Sequence, residues 1–301
     1  MTSAKPRSNS LWADAWRRLR KNRMAMICGW TFVALVVFSF VGPVLLHWLR
    51  GLDGTTQDVD LGASPPSWRH WFGTDSLGRD MLVRTMIGGR LAITVGLTAT
   101  IVAIVIGVSW GAIAAYAGGR VDEVMMRIVD VLYGFPTVVF VIVISAVLER
   151  YSLFQSPYAR LGVLFGLIGA ISWLNMARIV RGQVLSLRNQ EFVEAARALG
   201  ASGRRIVFRH IVPNTLGPVI VYATLSLPSV MLTEAFLSFL GIGVQAPLAS
   251  WGTLVTEGAT QIAVYPWTLI GPGMVMSVTI FSLNFLGDGL RDALDPQMRK
   301  D

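Results

Sequence analysis

One stretch of the sequence, residues 181–213, spaces its ionisable and apolar side chains in a way that suits recognition. Glu191, Glu194 and Arg197 are three residues apart, which places them on one side of a helix. The apolar residues of the same stretch recur at i, i+3, i+4 and i+7: Phe192, Ala195, Ala196 and Leu199. This pattern predicts a short amphipathic helix over 190–199, with charges beside an apolar ridge.

The residues after this helix predict a second one at a fixed angle to it. Gly200 stands where a left-handed cap would end the first helix, and Ser202 can cap a helix that begins near Gly203. The apolar side of this second helix is expected to comprise Ile206, Val207, His210 and Ile211. Pro213 and Asn214 are expected to end it. Two interpretations remain: the helices dock onto a partner protein, or they form a connector whose ridge is buried among lipid headgroups.

The sequence carries none of the usual catalytic motifs. It has no G-x-x-x-x-G-K-[ST] phosphate-binding loop, so we do not expect this chain to bind ATP alone. It has no G-x-S-x-G motif and no His/Cys zinc pattern, and its single cysteine, Cys28, excludes an internal disulfide. Asp75, Arg79 and Asp80 resemble an acid–base cluster, but the glycines around them favour a turn, a helix start and a salt bridge. We predict a protein that is not an enzyme and that holds no cofactor or metal.

The composition indicates that membrane-spanning helices position these residues. The chain of 301 residues is 53% apolar and 15% charged, which is ordinary for a membrane protein and unusual for a soluble domain. Residues 24–46 carry no charge and would form a helix of about 35 Å, against a hydrocarbon core of roughly 30 Å. Further apolar runs lie at 91–116, 131–148, 161–177, 215–240 and 267–287. The predicted fold is an all-α integral membrane protein with six transmembrane helices.

Six spans place both termini on one side, and the positive charges indicate which side. Most of the 26 Lys and Arg residues lie before residue 24, in 118–130, in 178–213 or after 287, and the positive-inside rule makes these segments cytoplasmic. The predicted organisation is a cytoplasmic segment at 1–23, a first transmembrane helix at 24–46, an extracytoplasmic segment at 47–90, a core of five transmembrane helices at 91–287 with the loop 181–213, and a cytoplasmic tail at 288–301. The net charge of +8 is explained by contacts with the lipid bilayer, and no nucleic acid is expected, since the basic residues are spread around helix ends.

Two polar residues inside the apolar runs are candidates for a translocation path. Glu234 is the acidic residue deepest in a span, where an unpaired charge costs at least ~2.5–3.5 kcal/mol and therefore tends to face a cavity or a partner. It could line a passage and meet the cationic end of a substrate, or it could be a protonated or hydrogen-bonded packing residue near the outer surface. Asn175 lies near the inner end of the fourth span, where we expect it to bond a neighbouring helix more readily than a substrate.

Small residues at every fourth position predict close helix packing in two spans. The second span carries such a stripe at Ala99, Ala103, Gly107, Gly111 and Ala115, and the fourth span carries one at Gly162, Gly166 and Ala170. Packing within this chain and a seam with a second subunit explain the stripes equally well.

Several segments resemble one protein family. Within the loop, Glu194-Ala195-Ala196, Gly200 and Ile211-Val212-Pro213 resemble the signature loop of permease subunits in binding-protein-dependent ABC importers. The resemblance runs nearly end to end, from about residue 10 to 299, and is strongest to the C-type permease subunit of oligopeptide and dipeptide importers. It is carried by SLWADA at 10–15, FGTDSLGRD at 72–80, VDEVMMR at 121–127, SFLGIGVQ at 238–245 and GDGLRDALDP at 287–296.

The resemblance implies a type I ABC importer permease bundle whose loop contains a coupling helix. The residues that would dock into a groove of a cytoplasmic ATPase are Glu191, Glu194, Ala195, Ala196, Arg197 and Gly200. The implied partners are a homologous B-type permease subunit in a heterodimer, two ATPase subunits that bind ATP and Mg, and an extracytoplasmic peptide-binding protein. The implied location is the bacterial cytoplasmic (inner) membrane.

The expected function is the translocation of peptides, with oligopeptides as the first expectation, while related branches carry dipeptides, nickel chelates or glutathione. The alternative is a secondary transporter or channel subunit driven by an ion gradient. That alternative would need several titratable groups inside the membrane or an internal repeat. The sequence offers one clear intramembrane acid and no convincing repeat.

Overall fold

The chain folds almost entirely into helices. The computed structural model describes residues 11–148, 150–151 and 156–295, and within these the only strand-like pairing is an isolated bridge between Thr74 and Asp80. The helices in chain order are α1 (Leu11–Lys21), α2 (Arg23–Arg50), α3 (Met81–Ala117), α4 (Gly119–Tyr133), α5 (Thr137–Leu148), α6 (Pro157–Leu187), α7 (Glu191–Ala198), α8 (Gly203–Ile206) with a π-helical turn (Val207–Ile211), α9 (Val212–Phe239), α10 (Trp251–Thr260) and α11 (Trp267–Leu294). Of the two predicted cytoplasmic ends, residues 1–10 and 296–301 lie outside the described residues. The all-α prediction is confirmed.

Five helices among the described residues are long and apolar enough to cross a membrane: α2, α3, α6, the continuous unit Gly203–Phe239 and α11. A sixth crossing exists if α4 and α5 form one span, and these two helices meet at a bend of 82°. The apolar run predicted as the third span, 131–148, contains this bend. The helix breaks there because Pro136 has no N–H to donate. The N–H of Gly134 donates to the Asp130 carbonyl at 3.1 Å, and this bond ends α4.

Two helices extend beyond the apolar runs that predicted them. α2 continues to Arg50, and Gly51 ends it in the left-handed region (φ 65°) by donating its N–H to the His47 carbonyl. α3 begins at Met81, because the Asp80 side chain accepts the Val83 N–H at 2.9 Å and so caps the first turn. The connection between α2 and α3 is thus 51–80 rather than 47–90. Hydropathy missed the first turns of α3 because they carry polar residues.

The 51–80 connection is tied to the start of α3 by buried charged groups. Asp75 lies 2.7 Å from Arg79 and 2.6 Å from Arg84, and Asp75 Oδ1 also accepts the Arg79 backbone N–H. Asp80, besides capping α3, lies 2.8 Å from the Nδ1 atom of His70. These contacts confirm that the group at 75–80 forms a turn, a helix start and a salt bridge.

α3 packs closely against α6 through its small-residue stripe, all of which is buried. A Cβ atom added at Gly107 would lie 2.6 Å from the Cβ of Met176, and one added at Gly111 would lie 2.3 Å from the Ala177 carbonyl oxygen. The first stripe therefore serves packing within this chain. The second stripe differs, because a Cβ atom at Gly162 or Gly166 would meet no atom of the described residues within 4 Å.

The two ends of the bundle carry different elements. α1 packs against the last turns of α11 through Leu19 and Ala293, and the Arg18 guanidinium lies 3.5 Å from the Asp295 carbonyl. The beginning and the end of the described chain thus lie together, at the same end as α7, which we name the α7 end. α10 and the 51–80 connection lie at the opposite end, which we name the α10 end.

The contact between α3 and α6 predicts that Gly111→Ala destabilises the chain. The added methyl group would overlap the Ala177 carbonyl, and overpacking of this kind costs about 1–3 kcal/mol. A lower thermal unfolding midpoint of the purified protein in detergent would show this loss. Gly166→Ala is the matched control, since its methyl group meets open space and alanine favours a helix. Equal midpoints for the two variants would contradict the packing described here.

Candidate functional site

The central element of the candidate site is α7, which follows α6 after a short turn. The Val193 and Glu194 N–H groups donate to the Gln190 carbonyl at 2.9 and 3.2 Å, which starts the helix. Glu191 and Glu194 lie in the first turn and Arg197 lies in the last, so each charge complements the helix dipole. The helix predicted over 190–199 is thus present as Glu191–Ala198.

The buried face of α7 differs from the predicted apolar ridge. Val193 is fully buried and Ala196 is 8% exposed, and both join a core cluster with Val184, Ile206, Val207 and Ile211. Phe192, Ala195 and Leu199, which were expected to form the ridge with Ala196, are exposed. The predicted ridge thus lies at the surface except for Ala196, and the line of side chains that this helix of eight residues buries against its own chain runs through 193 and 196.

The exposed face of α7 therefore mixes charged and apolar groups. Its charged members are Glu191, Glu194 and Arg197, and beside them Phe192 is 39% and Leu199 is 88% exposed. An apolar patch bordered by charges on a surface helix is typical of a protein–protein contact. Of the six residues predicted to dock, Ala196 alone is buried, while the other five lie at the surface.

Gly200 fixes the angle between α7 and the chain that follows. It adopts φ +80°, and its N–H donates to the Arg197 carbonyl while the Ala201 N–H donates to the Ala196 carbonyl, both at 3.0 Å. This is the left-handed end that the sequence predicted. Ser202 then caps the next helix by accepting the Arg205 N–H at 3.4 Å, also as predicted.

The second short helix does not end at Pro213 and Asn214 as predicted. α8 passes through the π-helical turn directly into α9, so residues Gly203–Phe239 form one continuous helical unit of 37 residues. The N–H of Val212 donates to the carbonyl of Val207, five residues back, and Pro213 follows in the first turn of α9 without ending the helical unit. α7 is therefore connected on one side to α6 and on the other side to a rod that includes the fifth span.

Two contacts join this region to the rest of the bundle. The Arg188 guanidinium donates to the Ala115 carbonyl at 2.9 Å, which ties the turn before α7 to the last residues of α3. Arg181 of α6 forms a two-bond ion pair with Asp122 of α4, at 2.7 and 2.8 Å. The base of α7 is thus held by α3, α4 and α6 together.

Glu234 is enclosed by its own chain. Its side chain belongs to a residue that is 1% exposed, and it accepts hydrogen bonds from the Ser238 hydroxyl at 2.8 Å and the Ser250 hydroxyl at 2.6 Å. Ser250 also caps α10, so the carboxyl group joins α9 to the start of α10. This geometry matches the alternative of a hydrogen-bonded packing residue, because it leaves no room for substrate contact in this conformation.

Asn175 is exposed on α6, and its side chain lies beside Tyr222 of α9. A neighbouring helix is where we expected the partner of this residue. Beside it lies a cavity of about 440 Å³ between α6, α9 and α11, lined in part by Ile179, Tyr222 and Arg291.

Sequence reasoning did not identify the polar residues around Asn175. Arg178 forms an ion pair with Asp130 at 2.9 Å and stacks over the Tyr133 ring at 4.1 Å from its centroid. The signal was present, since Asn175, Arg178, Gly182 and Gln183 follow the i, i+3, i+7, i+8 spacing of one helix face. It was missed because hydropathy placed Arg178 just outside the fourth span.

Two family descriptions match the sequence and together cover most of it. The model of the binding-protein-dependent transport system inner membrane component matches residues 103–300. The N-terminal TM domain of oligopeptide transport permease C matches residues 10–66.

Curated relatives are similar over nearly the whole chain. The oligopeptide transport system permease protein OppC of Bacillus subtilis (strain 168) is 45% identical over 98% of this chain and 92% of its own. OppC of Escherichia coli (strain K12) is 47% identical over 96% of this chain and 92% of its own. The dipeptide transport system permease protein DppC of Bacillus subtilis (strain 168) is 42% identical over 99% of this chain and 89% of its own.

A solved structure shares the fold. A chain of the MetNI methionine ABC transporter, in inward-facing conformations, superposes with a TM-score of 0.56 over 71% of this chain and 96% of its own, at 16% identity. The likeness places the helices of the present chain in the arrangement of an ABC importer permease.

The hydrogen bonds of Glu234 predict that Glu234→Ala destabilises the chain while Glu234→Gln does so much less. Alanine leaves the buried Ser250 hydroxyl without its acceptor, a loss of about 1–3 kcal/mol, whereas glutamine keeps an acceptor oxygen in place. Thermal unfolding of both variants in detergent measures the difference. If the two variants unfold at the same temperature as the unaltered chain, the packing role assigned to Glu234 is wrong.

Proposed function

We infer the function of this chain from its family: it belongs to the binding-protein-dependent transport system inner membrane components, and it is a membrane-spanning permease subunit of an ABC importer for peptides. Oligopeptides are the substrate that we favour within that class. The match of residues 10–66 to the oligopeptide permease C domain and the 45% and 47% identity to OppC proteins support this choice. A dipeptide permease is 42% identical, so we propose the longer peptides as the main rather than the exclusive cargo.

The observation that carries the proposal is the exposed face of α7. Glu194 and Arg197 project from a helix whose other face is buried against Ile206 and Val207, so the surface is presented on a firm base. We propose that this face docks into an ATPase subunit that binds ATP and Mg. The present chain itself has no phosphate-binding loop, so it would receive the energy of hydrolysis only through contact.

We propose that the α7 end faces the cytoplasm. Positive charge is concentrated at this end, as is typical of the cytoplasmic side. The basic residues are Arg17, Arg18, Arg20 and Lys21 of α1, and Arg204 and Arg205 beside α7. Both described chain ends lie there too, since α1 packs on α11. The α10 end would then face an extracytoplasmic peptide-binding protein.

The proposed assembly contains a homologous second permease, two ATPase subunits and the binding protein. ATP binding brings the two ATPases together, and the docked α7 moves with them. Because α7 is joined to α6 by residues 188–190 and to the rod Gly203–Phe239 by residues 199–202, its displacement tilts both helices. ATP can drive this change only through its different affinity for the two states of the ATPase pair.

The proposal predicts that Glu194→Lys abolishes the association with the ATPase. A reversed charge at the centre of a docked face replaces an attraction by a repulsion, and we expect the retained ATPase to fall at least about tenfold. The measurement is co-purification of the ATPase subunits with the permease, followed by ATP-dependent peptide uptake in proteoliposomes.

Asp60→Lys is the matched control, because Asp60 is exposed at the α10 end and its reversal leaves α7 unchanged. Normal ATPase association together with normal uptake in the Glu194→Lys complex would rule out docking through α7. Uptake by the unaltered chain that follows an ion gradient and needs no ATP would instead favour a secondary transporter.

A further inference from the structure

The half of α6 nearer the α7 end has a polar face that its own chain leaves open. This face contains residues on one side of the helix: Asn175, Arg178, Gly182, Gln183 and Ser186. Asn175, Gly182 and Ser186 are exposed, and Arg178 is partly exposed. Polar side chains at membrane depth usually face a water-filled cavity or a partner rather than lipid, because lipid offers them no hydrogen bonds.

The ion pair on this face is unusually accessible. Arg178 and Asp130 are joined by one hydrogen bond of 2.9 Å, and their side chains are 35% and 57% exposed. The neighbouring pair of Arg181 with Asp122 is different, since it has two bonds and its carboxylate is only 13% exposed. Arg181 and Asp122 therefore clamp α4 to α6, whereas Arg178 and Asp130 keep most of their donors and acceptors available.

Three further polar groups surround this pair. The Tyr133 ring lies under the Arg178 guanidinium, and Tyr222 of α9 lies beside the Asn175 side chain. Tyr222 is ten residues into α9, which is roughly 15 Å along the helix from its first residue. The group thus lies well inside the span, and Tyr222 also lines the cavity of about 440 Å³.

We propose that these five residues, Asp130, Tyr133, Asn175, Arg178 and Tyr222, form a peptide-binding subsite of the translocation path, an inference that rests on the proposed function. The Arg178 guanidinium would take the carboxylate end of a zwitterionic peptide. The Asp130 carboxylate would take an ammonium group, and the amide and phenol groups would bond the peptide backbone. The ligand class follows from this chemistry, since opposite charges beside amide and hydroxyl groups complement a short peptide with free ends.

The exposure of the Arg178–Asp130 ion pair suits a site that releases its peptide rather than one that retains it. Charges that are partly in water gain little from each other, so exchanging a protein partner for a peptide terminus costs little. A translocation subsite must also release its cargo, which requires binding that is weak at each position. The Arg181–Asp122 pair, with two hydrogen bonds and a carboxylate that is only 13% exposed, would not allow such an exchange.

The test labels a single introduced cysteine in a chain whose one native cysteine has been replaced. In a Cys28→Ser background, Asn175→Cys places a thiol in the subsite, and Gly166→Cys places one elsewhere on α6, on an exposed face away from the subsite. The assembled transporter in nanodiscs is treated with a charged thiol reagent, which reacts only where water reaches. We expect labelling at 175 and little at 166.

Peptide protection then tests recognition of the charged ends. Tri-alanine at saturating concentration should slow labelling at 175, whereas its N-acetylated and C-amidated analogue should not, and Arg178→Gln should remove the protection. The proposal is overturned if tri-alanine leaves the labelling rate unchanged or if the capped analogue protects equally well. A merely structural ion pair would produce no such difference between the two peptides.

Uptake provides a second readout in the complete system with its binding protein and ATPases. Arg178→Gln and Asp130→Asn should each lower tri-alanine uptake about twofold to fivefold, the loss expected for a charge pair that is partly in water, while ATP hydrolysis continues. Glu123→Gln is the matched control on α4, since Glu123 is exposed and outside the subsite. Uptake at the unaltered rate in both subsite variants would overturn the proposal. Failure of the unaltered complex to retain an ATPase or to take up peptide would instead refute the proposed function.

Discussion

The close approach of α3 and α6 is the contact on which the rest of the structure depends. Helices in lipid gain little from burying apolar surface against each other, so their association needs backbones that come near enough for van der Waals contact. Gly107 and Gly111 provide this, since even one methyl group at either position would overlap α6. Once α6 is fixed, so is the turn that leads into α7, and Arg188 secures that turn to the Ala115 carbonyl at the end of α3.

The properties of α7 follow from this support. A helix of eight residues is too short to be stable alone in water. It persists because Val193 and Ala196 are buried against the following helix and because Gly200 ends it in a left-handed turn. This dependence on its neighbours suits α7 as a coupling element. Because α7 has no stability of its own, it moves with the two long helices that hold it, and a displacement of its outer face is transmitted to them.

The sequence predicted the elements better than their junctions. Apolar runs located the spans and the glycine spacing located the packing of α3, because lipid imposes a simple requirement on length and composition. The passage of α8 into α9 and the start of α3 depended on which backbone groups find partners, and hydropathy carries no such information. On α7, the pattern found the helix and its exposed apolar residues but not Val193, which is buried against the following helix. The polar cluster of Arg178, Asp130 and Tyr222 joins three helices, and only the folded chain brings them together.

Contact between the exposed face of α7 and a nucleotide-hydrolysing subunit can be measured directly with a photoactivatable amino acid at position 194, irradiated in membranes that contain the assembled transporter. We expect a covalent adduct with the ATPase subunit from position 194 and none with it from position 60, at the opposite end of the bundle. Adducts of position 194 with lipid alone, or with an extracytoplasmic protein, would contradict docking through α7.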